Sequence, residues 1–202
     1  LKFDPTFRQY LDNITFKEYL FDSTEYSINI YEKDYNSNKY HQGFILYRKY
    51  SRKDVFRILN WDKNPVAQNV GGYIVSKDKT NCPIFVNYHK HENISSTTKY
   101  EDMFLNNSEF QWMSKSNRTL KSPDVVDIKN HDNKMRIPLF IKKSNDEGLD
   151  FYYMGDVTPD LESFKQTSIE REDNKPVPIV KLIFKMNEPV KDSIFNYIIS
   201  EV

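Results

Sequence analysis

Apolar residues recur at two different spacings along the chain, and the spacing changes near residue 40. In the first 40 residues they fall at roughly helical intervals and end in a polar stretch, which predicts one or two helices and an exposed loop. Further along, they come in short runs bounded by turn residues. These runs predict strands near residues 44–47, 73–75, 84–88, 110–113, 137–141, 151–157 and 179–184.

Helix and turn signals complete this pattern. Ser51, followed by Asp54 three residues later, is a near capping box that begins a short helix. Pro189 opens a terminal helix, residues 145–148 form the turn of a hairpin, and Gly71-Gly72 indicates a turn or a close backbone approach. We predict a strand-rich α+β fold, a mixed β-barrel of about seven short strands with flanking helices and no visible parallel βαβ alternation.

Composition excludes several classes of protein. With 38% hydrophobic residues the chain can form a core, and 29 basic against 29 acidic residues exclude a uniformly basic surface. The lone Cys82 excludes a disulfide scaffold and fits a reducing cytoplasm. No apolar run approaches the roughly 20 residues of a membrane span, and no signal peptide is visible. We therefore expect a cytoplasmic protein without a membrane partner.

Catalytic motifs are missing from the sequence. It contains no phosphate-binding P-loop, dinucleotide fingerprint or nucleophile elbow. His89 and His91 would share a strand face, but no third ligand is placed beside them, so they are read as ordinary polar residues. Glu101-Asp102 is either a solvated acidic pair or a carboxylate that reads a base. We predict no catalytic residues, no metal and no cofactor.

The neutral net charge hides a basic end and an acidic end. Basic residues dominate between 48 and 63, whereas acidic residues dominate between 146 and 173. Within the basic run, Ser51, Arg52 and Lys53 begin a helix, an arrangement that suits a phosphate; the alternative is a solvated helix face. Lys115 and Arg118 belong to a second polar group, which could ring a phosphate or form a plain loop.

Aromatic residues are interleaved with these cations, as in proteins that stack bases and hold a phosphate backbone. Most of the rings must belong to the core. Tyr50 and Trp61 are the best candidates for a pocket because each adjoins polar residues on both sides. A second aromatic group follows and includes Tyr88 and Trp112.

Several ordered blocks of sequence resemble one family. They are Tyr50–Val55 with Leu59-Asn60-Trp61, Gln68–Tyr73, Cys82–Val86, Ser96–Asp102, Phe110–Ser114 with Asn117-Arg118-Thr119, and Asp150–Asp156. Together they are similar to the C-terminal domain of large bacterial helicase-like proteins, including the SauUSI type IV restriction enzymes. The likeness runs from about Phe44 to the C-terminus.

This resemblance implies a fold related to the SRA and PUA-like barrels and a role in recognising DNA with 5-methylcytosine or 5-hydroxymethylcytosine by base flipping. It also implies helicase and nuclease domains in the parent chain. Residues 1–40 would be a helical connector from a preceding domain, and residues 41–202 the DNA-recognition domain. A homodimer formed through the parent protein is a further possibility that the resemblance leaves undecided. Such a domain would recognise modified DNA without hydrolysing it.

Residue chemistry within these blocks gives each candidate a role. The proposed pocket for the modified base comprises Tyr50, Trp61, Tyr88, Glu101, Asp102 and Trp112. Contacts with the base edge or its orphaned partner fall to Gln68, Asn69 and Asn87. Phosphate contacts fall to Ser51, Arg52, Lys53, Lys115 and Arg118. Two alternatives remain: a protein–protein docking module without base readout, and a nuclease with an unrecognised acidic site.

Overall fold

The structure is a computed structural model that describes residues 4–35, 40–63, 65–66, 70–89, 102–131, 134–170 and 176–201. The chain forms two compact units, residues 1–45 and 46–202. No helix within the described ranges is both long enough and apolar enough to cross a membrane.

The first unit is mainly helical. It contains α1 (Pro5–Tyr10), α2 (Ile14–Tyr35) and a small antiparallel pair, β1 (Tyr40–His41) with β2 (Phe44–Ile45). Asp4 caps α1 by accepting a hydrogen bond from the Thr6 amide at 2.8 Å, and Pro5 occupies the first turn, where no amide donor is needed. The predicted early helices are therefore confirmed. The predicted polar loop at residues 36–38 lies outside the described residues.

The second unit is a strand-rich α+β domain. In chain order its elements are β3 (Lys49–Tyr50), α3 (Arg52–Ile58), β4 (Ile84–Asn87), β5 (Met103–Asn106), β6 (Glu109–Met113), α4 (Pro123–Lys129), β7 (Pro138–Lys142), a short 3-10 helix (Asn145–Glu147), β8 (Phe151–Pro159), β9 (Lys165–Glu170), β10 (Pro176–Met186) and α5 (Asp192–Ile199).

These strands form a mixed, curled sheet of the half-barrel kind. Its order is β4-β7-β8-β10-β6-β5, with β3 added beside β8 and β9 beside β10. The strand β10 holds the sheet together, because successive parts of its 11 residues pair with β9, β6 and β8. The predicted α+β, strand-rich fold class with flanking helices is confirmed.

Three features of the sheet differ from the sequence expectations. Strands β4 and β7 are parallel, although no parallel pairing was visible in the sequence. The elements β5, β9 and α4 were not predicted, and residues 73–75 form only one isolated bridge, from Tyr73 to Ile84. The mostly exposed β9 carries little apolar signal, because one face of an antiparallel edge strand can remain in water.

Two aromatic clusters form much of the core. In one, Trp112 is 2% exposed and contacts Phe184 and Tyr73, with ring centroids 5.4 and 4.8 Å away. In the other, the fully buried Phe140 stacks on Phe85 at 5.3 Å. Edge-to-face and offset contacts of this kind add to the stabilisation from apolar burial. The sheet thus provides a rigid base for the loops above it.

Candidate nucleic-acid interface

The segment between α3 and β4 forms the wall shared by two cavities. Within this segment, Gly71 and Gly72 have φ angles of +53° and +94°, which lie in the region that favours glycine. The Gly72 carbonyl accepts a hydrogen bond of 2.6 Å from the Phe85 amide. A Cβ on Gly71 would lie 3.2 Å from Cε of Lys115, so the glycine allows this lysine to approach the backbone. The predicted turn and close approach are both present.

One cavity, of about 610 Å³, lies beside Trp61. This volume is within the range of small-molecule sites. Its wall includes Leu59, Asn60, Trp61, Pro65, Val75, Lys77 and Asn81. We call it the Trp61 cavity.

Trp61 is held by the end of α3. Asn60 adopts a φ of +57°, and the Trp61 amide donates to the Phe56 carbonyl at 3.0 Å, so the chain turns back on the helix. The Trp61 ring then packs on Phe56 with 4.8 Å between centroids. Its indole Nε1–H is buried and has no acceptor among the described residues. Buried polar groups are normally hydrogen-bonded, so this donor is an exception within the described part of the chain.

The second cavity, of about 540 Å³, lies on the other side of residues 74–77 and is called the Lys115 cleft. The Lys115 ammonium lies 4.7 Å from the centroid of Tyr73, a cation–π contact. Burial lowers the pKa of Lys115, and the nearby positive charge of Arg118 lowers it further. No carboxylate within 4 Å neutralises Lys115 among the residues that the structure describes. This lysine is therefore suited to receive an anion.

A polar triad fixes the floor of the Lys115 cleft. Asp124 accepts hydrogen bonds of 2.7 Å from both Tyr73 Oη and Arg118 Nε. Burial raises the pKa of Asp124, but the two hydrogen bonds outweigh burial and hold this pKa below its usual value. Burial and Asp124 together raise the pKa of Tyr73. The charge of Arg118 is thus largely matched within the protein.

We predict that Asp124→Asn lowers the free energy of unfolding at pH 7 by roughly 1–2 kcal/mol, because Arg118 loses a charged partner. A carboxylate with a lowered folded pKa stabilises the protein above its unfolded pKa, and this contribution is lost as pH falls through the folded pKa. The variant should therefore lose less stability than wild type between neutral pH and about pH 3. Thermal unfolding at both pH values, with Asp62→Asn as the control, measures this difference.

Charges around the two cavities nearly balance. Lys79 is paired with Asp127 at 2.7 Å, as Arg118 is with Asp124. Lys77, like Lys115, has no carboxylate partner in the described part of the chain. The Trp61 cavity adds Lys63, Asp62 and Asp78, so the two linings together hold five cations against four carboxylates. This arrangement is not a strongly basic surface and favours weak binding of a polyanion.

Trp61 is the predicted pocket residue that lines a cavity, whereas Trp112 belongs to the core. The Trp112 ring packs against Tyr73, which lines the Lys115 cleft, but Trp112 itself is not part of that lining. Tyr50 is partly buried, with its ring 6.4 Å from Phe140. Tyr88 is half-buried, and its hydroxyl accepts from the Phe104 amide at 3.3 Å. These three rings lie outside the lining of both cavities.

The predicted carboxylates and amides are distributed across the domain. Asp102 accepts a hydrogen bond of 2.9 Å from the Met113 amide, so one of its oxygens serves the β5–β6 pair. Asn87 ends β4, where its Nδ2 donates to Asn145 at 3.2 Å, and its buried Oδ1 has no partner among the residues that the structure describes. Glu101, Gln68 and Asn69 lie outside the described residues.

The predicted phosphate contacts of α3 have separate environments. Ser51 caps the helix as expected: its Oγ accepts from the Asp54 amide at 3.2 Å and donates to the Asp54 carboxylate at 2.7 Å. Arg52 lies over two aromatic rings, and Lys53 is exposed. Of the predicted phosphate contacts, the structure places Lys115 and Arg118 together in one cleft.

The structure describes one member of the histidine pair that the sequence pattern indicates to be ordinary polar residues. Nε2 of His89 lies 2.9 Å from the Ile198 carbonyl, and His91 lies outside the described residues. Within the described ranges, no group of three or more His, Cys, Asp or Glu side chains could hold a metal ion.

Sequence reasoning missed Tyr73, which joins the two sides of the Lys115 cleft. Its ring is 2% exposed, contacts Trp112 below and lies beneath the Lys115 ammonium. The available signal was an aromatic residue directly after Gly71-Gly72. A glycine pair can mark a close backbone approach, and Tyr73 directly follows the approach of Lys115 to Gly71.

The fold and the clefts define a strand-rich α+β domain whose half-barrel sheet carries an aromatic cavity and a neighbouring cationic cleft. The chain belongs to the family described as Domain of unknown function (DUF3427), whose profile matches residues 44–198. No match was found among curated proteins.

Solved structures with a similar course of the chain include three proteins. The DNA modification-dependent restriction endonuclease AspBHI is 14% identical, with 75% of this chain and 77% of that chain covered and a TM-score of 0.49. The sulfur binding domain and SRA domain of ScoMcrA, complexed with phosphorothioated DNA, is 8% identical, with coverage of 77% and 45% and a TM-score of 0.45. Arabidopsis thaliana SUVH6 in complex with SAM is 12% identical, with coverage of 81% and 31% and a TM-score of 0.46. Likenesses at this level carry no information about the ligand of this protein.

Proposed function

We propose that the second unit is a DNA-recognition domain that reads a modified cytosine, 5-methylcytosine or 5-hydroxymethylcytosine, in a flipped-out state. The observation that carries this proposal is the Trp61 cavity, where an aromatic wall and an unpartnered indole N–H adjoin the cationic Lys115 cleft. A flipped base requires a stacking surface and hydrogen-bond partners, and the adjoining backbone requires cations. The two cavities together offer all three.

The Trp61 cavity supports the base-binding half of this proposal. Leu59, Val75 and Pro65 supply apolar wall, on which the methyl group of a modified base can be buried. Burial of one methyl group contributes about 0.8 kcal/mol. The indole N–H can donate to O2 or N3 of cytosine, both of which are acceptors. Tyr50, Tyr88, Trp112, Asp102 and Asn87 remain predicted contacts outside this lining. Glu101, Gln68 and Asn69 remain predicted contacts among residues that the structure does not describe.

The Lys115 cleft supports the phosphate-binding half. We predict that Lys115→Ala lowers the affinity for methylated and plain duplex DNA equally and reduces the slope of log affinity against log salt by about one. The reason is that a phosphate contact neutralises charge without reading sequence. Fluorescence-anisotropy titrations at several salt concentrations measure both quantities. Lys165→Ala, an exposed lysine on β9, is the matched control.

An unchanged salt slope in Lys115→Ala would remove this lysine from the interface. A loss confined to methylated DNA would instead make it part of the base pocket. Both results differ from the uniform loss expected for a backbone contact.

We infer that the parent protein is a SauUSI-like type IV restriction enzyme of the bacterial cytoplasm, with helicase and nuclease domains elsewhere in its chain. This part of the proposal rests on the sequence blocks that resemble that family. In this assignment, residues 1–40 form the connector from a preceding domain and residues 41–202 the recognition domain.

We predict that the 202-residue chain alone neither cleaves methylated plasmid nor hydrolyses ATP in the presence of magnesium. The sequence lacks a phosphate-binding loop, and the proposed role is recognition. Gel analysis of the plasmid and a phosphate-release assay measure the two activities. Linear DNA from a preparation free of contaminating nuclease would contradict the recognition-only assignment.

A docking module is the second candidate function, and α2 is the observation that favours it. This 22-residue helix exposes large apolar side chains, including Ile14, Tyr19 and Tyr26 at 73%, 71% and 67%. Exposed apolar groups concentrated on one element mark interaction surfaces. If the wild-type chain shows no preference for methylated DNA, docking becomes the better account of the whole chain.

A further inference from the structure

Two cations beside Phe151, Arg52 and Lys142, have no carboxylate within ion-pair distance in the part of the chain that the structure describes. Arg52, in the first turn of α3, places its guanidinium 4.8 Å from the centroid of Phe151 and 5.3 Å from that of Phe85. The Arg52 Nε is buried and has no hydrogen-bond acceptor among the described residues. An Arg donor removed from water without an acceptor is unfavourable, so its position requires an explanation.

Lys142 adds a second positive charge to this cluster. The residue ends β7, is 5% exposed, and holds its ammonium 5.1 Å from the centroid of Phe151, the same ring that Arg52 contacts. Its Nζ donates one hydrogen bond, of 2.9 Å, to the Gly148 carbonyl. Burial lowers the pKa of Lys142, and the charge of Arg52 lowers it further. Burial likewise lowers the pKa of Arg52.

The nearby carboxylate of Glu147 is already engaged elsewhere. Glu147 accepts from the Lys143 amide at 3.0 Å and from the Tyr197 hydroxyl, and it lies 3.6 Å from the ammonium of Lys49. Its charge also acts on Lys142 and raises the pKa of that lysine, but no carboxylate of the described residues pairs directly with Arg52 or Lys142, two partly desolvated cations beside one aromatic ring. Charges in such positions are normally paired.

We propose that Arg52 and Lys142 form an anion site for a phosphate group. The guanidinium, with its planar fork of donors, is the contact group, and the aromatic rings hold it in position. The buried ammonium of Lys142 adds a second positive charge beside the same aromatic ring. The phosphate is either free in solution or part of a DNA backbone; in the second case the site adds a contact to the proposed DNA-binding function.

The test measures thermal unfolding of the whole chain in inorganic phosphate against chloride of equal ionic strength. At a phosphate concentration about twenty times the dissociation constant, wild type should gain about 4 °C in Tm over chloride. Phosphate also stabilises proteins generally through exclusion from their surface, so the comparison between variants carries the result. Arg52→Gln should lose the specific gain, whereas Arg57→Gln, which removes an exposed cation of the same helix, should keep it.

Lys142→Met provides a second variant if Arg52→Gln does not fold, and it should also lose the specific gain. Equal gains in wild type and in the folded Arg52 or Lys142 variants would overturn the site. Because this measurement contains no DNA, failure of the proposed DNA-binding function leaves it unaffected. Anisotropy titrations of Arg52→Gln with duplex DNA then identify the source: a salt slope reduced by about one indicates a backbone phosphate, and an unchanged slope indicates a free anion.

Discussion

Replacement of Trp61 by alanine is expected to lower the affinity for duplex DNA with methylated cytosine by up to about tenfold, to the level of plain DNA, and to change the affinity for plain DNA much less. Stacking of a base on an aromatic ring is worth about 1–3 kcal/mol, and this contribution is lost with the ring. Plain DNA is held chiefly through its phosphates, which Trp61 does not contact in the proposed complex. The wild-type preference itself should be no more than about tenfold, because one methyl group contributes about 0.8 kcal/mol.

The measurement is a pair of anisotropy titrations on duplexes that differ by one methyl group per strand. Trp61→Phe is the matched control, since it keeps a ring packed on Phe56 and should retain most of the preference. If the folded Trp61→Ala variant keeps the wild-type ratio, the proposed pocket is wrong.

The largest expected effect on stability follows replacement of Phe140 by alanine. This ring is fully buried on β7 and contacts Phe85 and Tyr153 at 5.3 Å each. Removing a buried phenylalanine typically costs about 3–5 kcal/mol, through lost apolar burial and the cavity that remains. That is a large part of the roughly 5–15 kcal/mol that stabilises an ordinary domain.

Urea unfolding followed by tryptophan fluorescence measures this loss. Leu161→Ala is the control, because Leu161 is 52% exposed and its truncation should change the free energy of unfolding by less than about 0.5 kcal/mol. A loss below about 1 kcal/mol for Phe140→Ala would contradict the central position of this ring in the core.

Local signals predicted individual elements well, because their causes lie within a few residues. Ser51 and Asp54 cap α3 as their spacing indicated. The apolar runs at 110–113 and 137–141 lie in β6 and β7. The parallel pairing of β4 with β7 could not be predicted in the same way, since about 50 residues separate the two strands and no short motif encodes their register.

The candidate site was only partly predictable, because neighbouring residues in the sequence do not show directly which aromatic rings are buried in the core. Trp61 and Trp112 both adjoin polar residues in sequence, yet alternation in β6 puts Trp112 on the same face as the buried Phe110. That period of two was a signal that assigned Trp112 to the core. The fold brings Lys115 and Tyr73 together from distant segments of the chain, so no local sequence pattern predicts their contact.

The strand β10 determines when the domain can fold. Among the strands that the structure describes, β10 is the one that joins β4, β7 and β8 to the β5–β6 hairpin. A ribosome that has synthesised β6 must add about 70 further residues before that strand meets its second partner. Long-range pairing of this kind slows folding to milliseconds or seconds in comparable strand-rich domains. The nascent chain therefore holds unpaired strand edges until β10 has been synthesised, and the sheet closes only after that point.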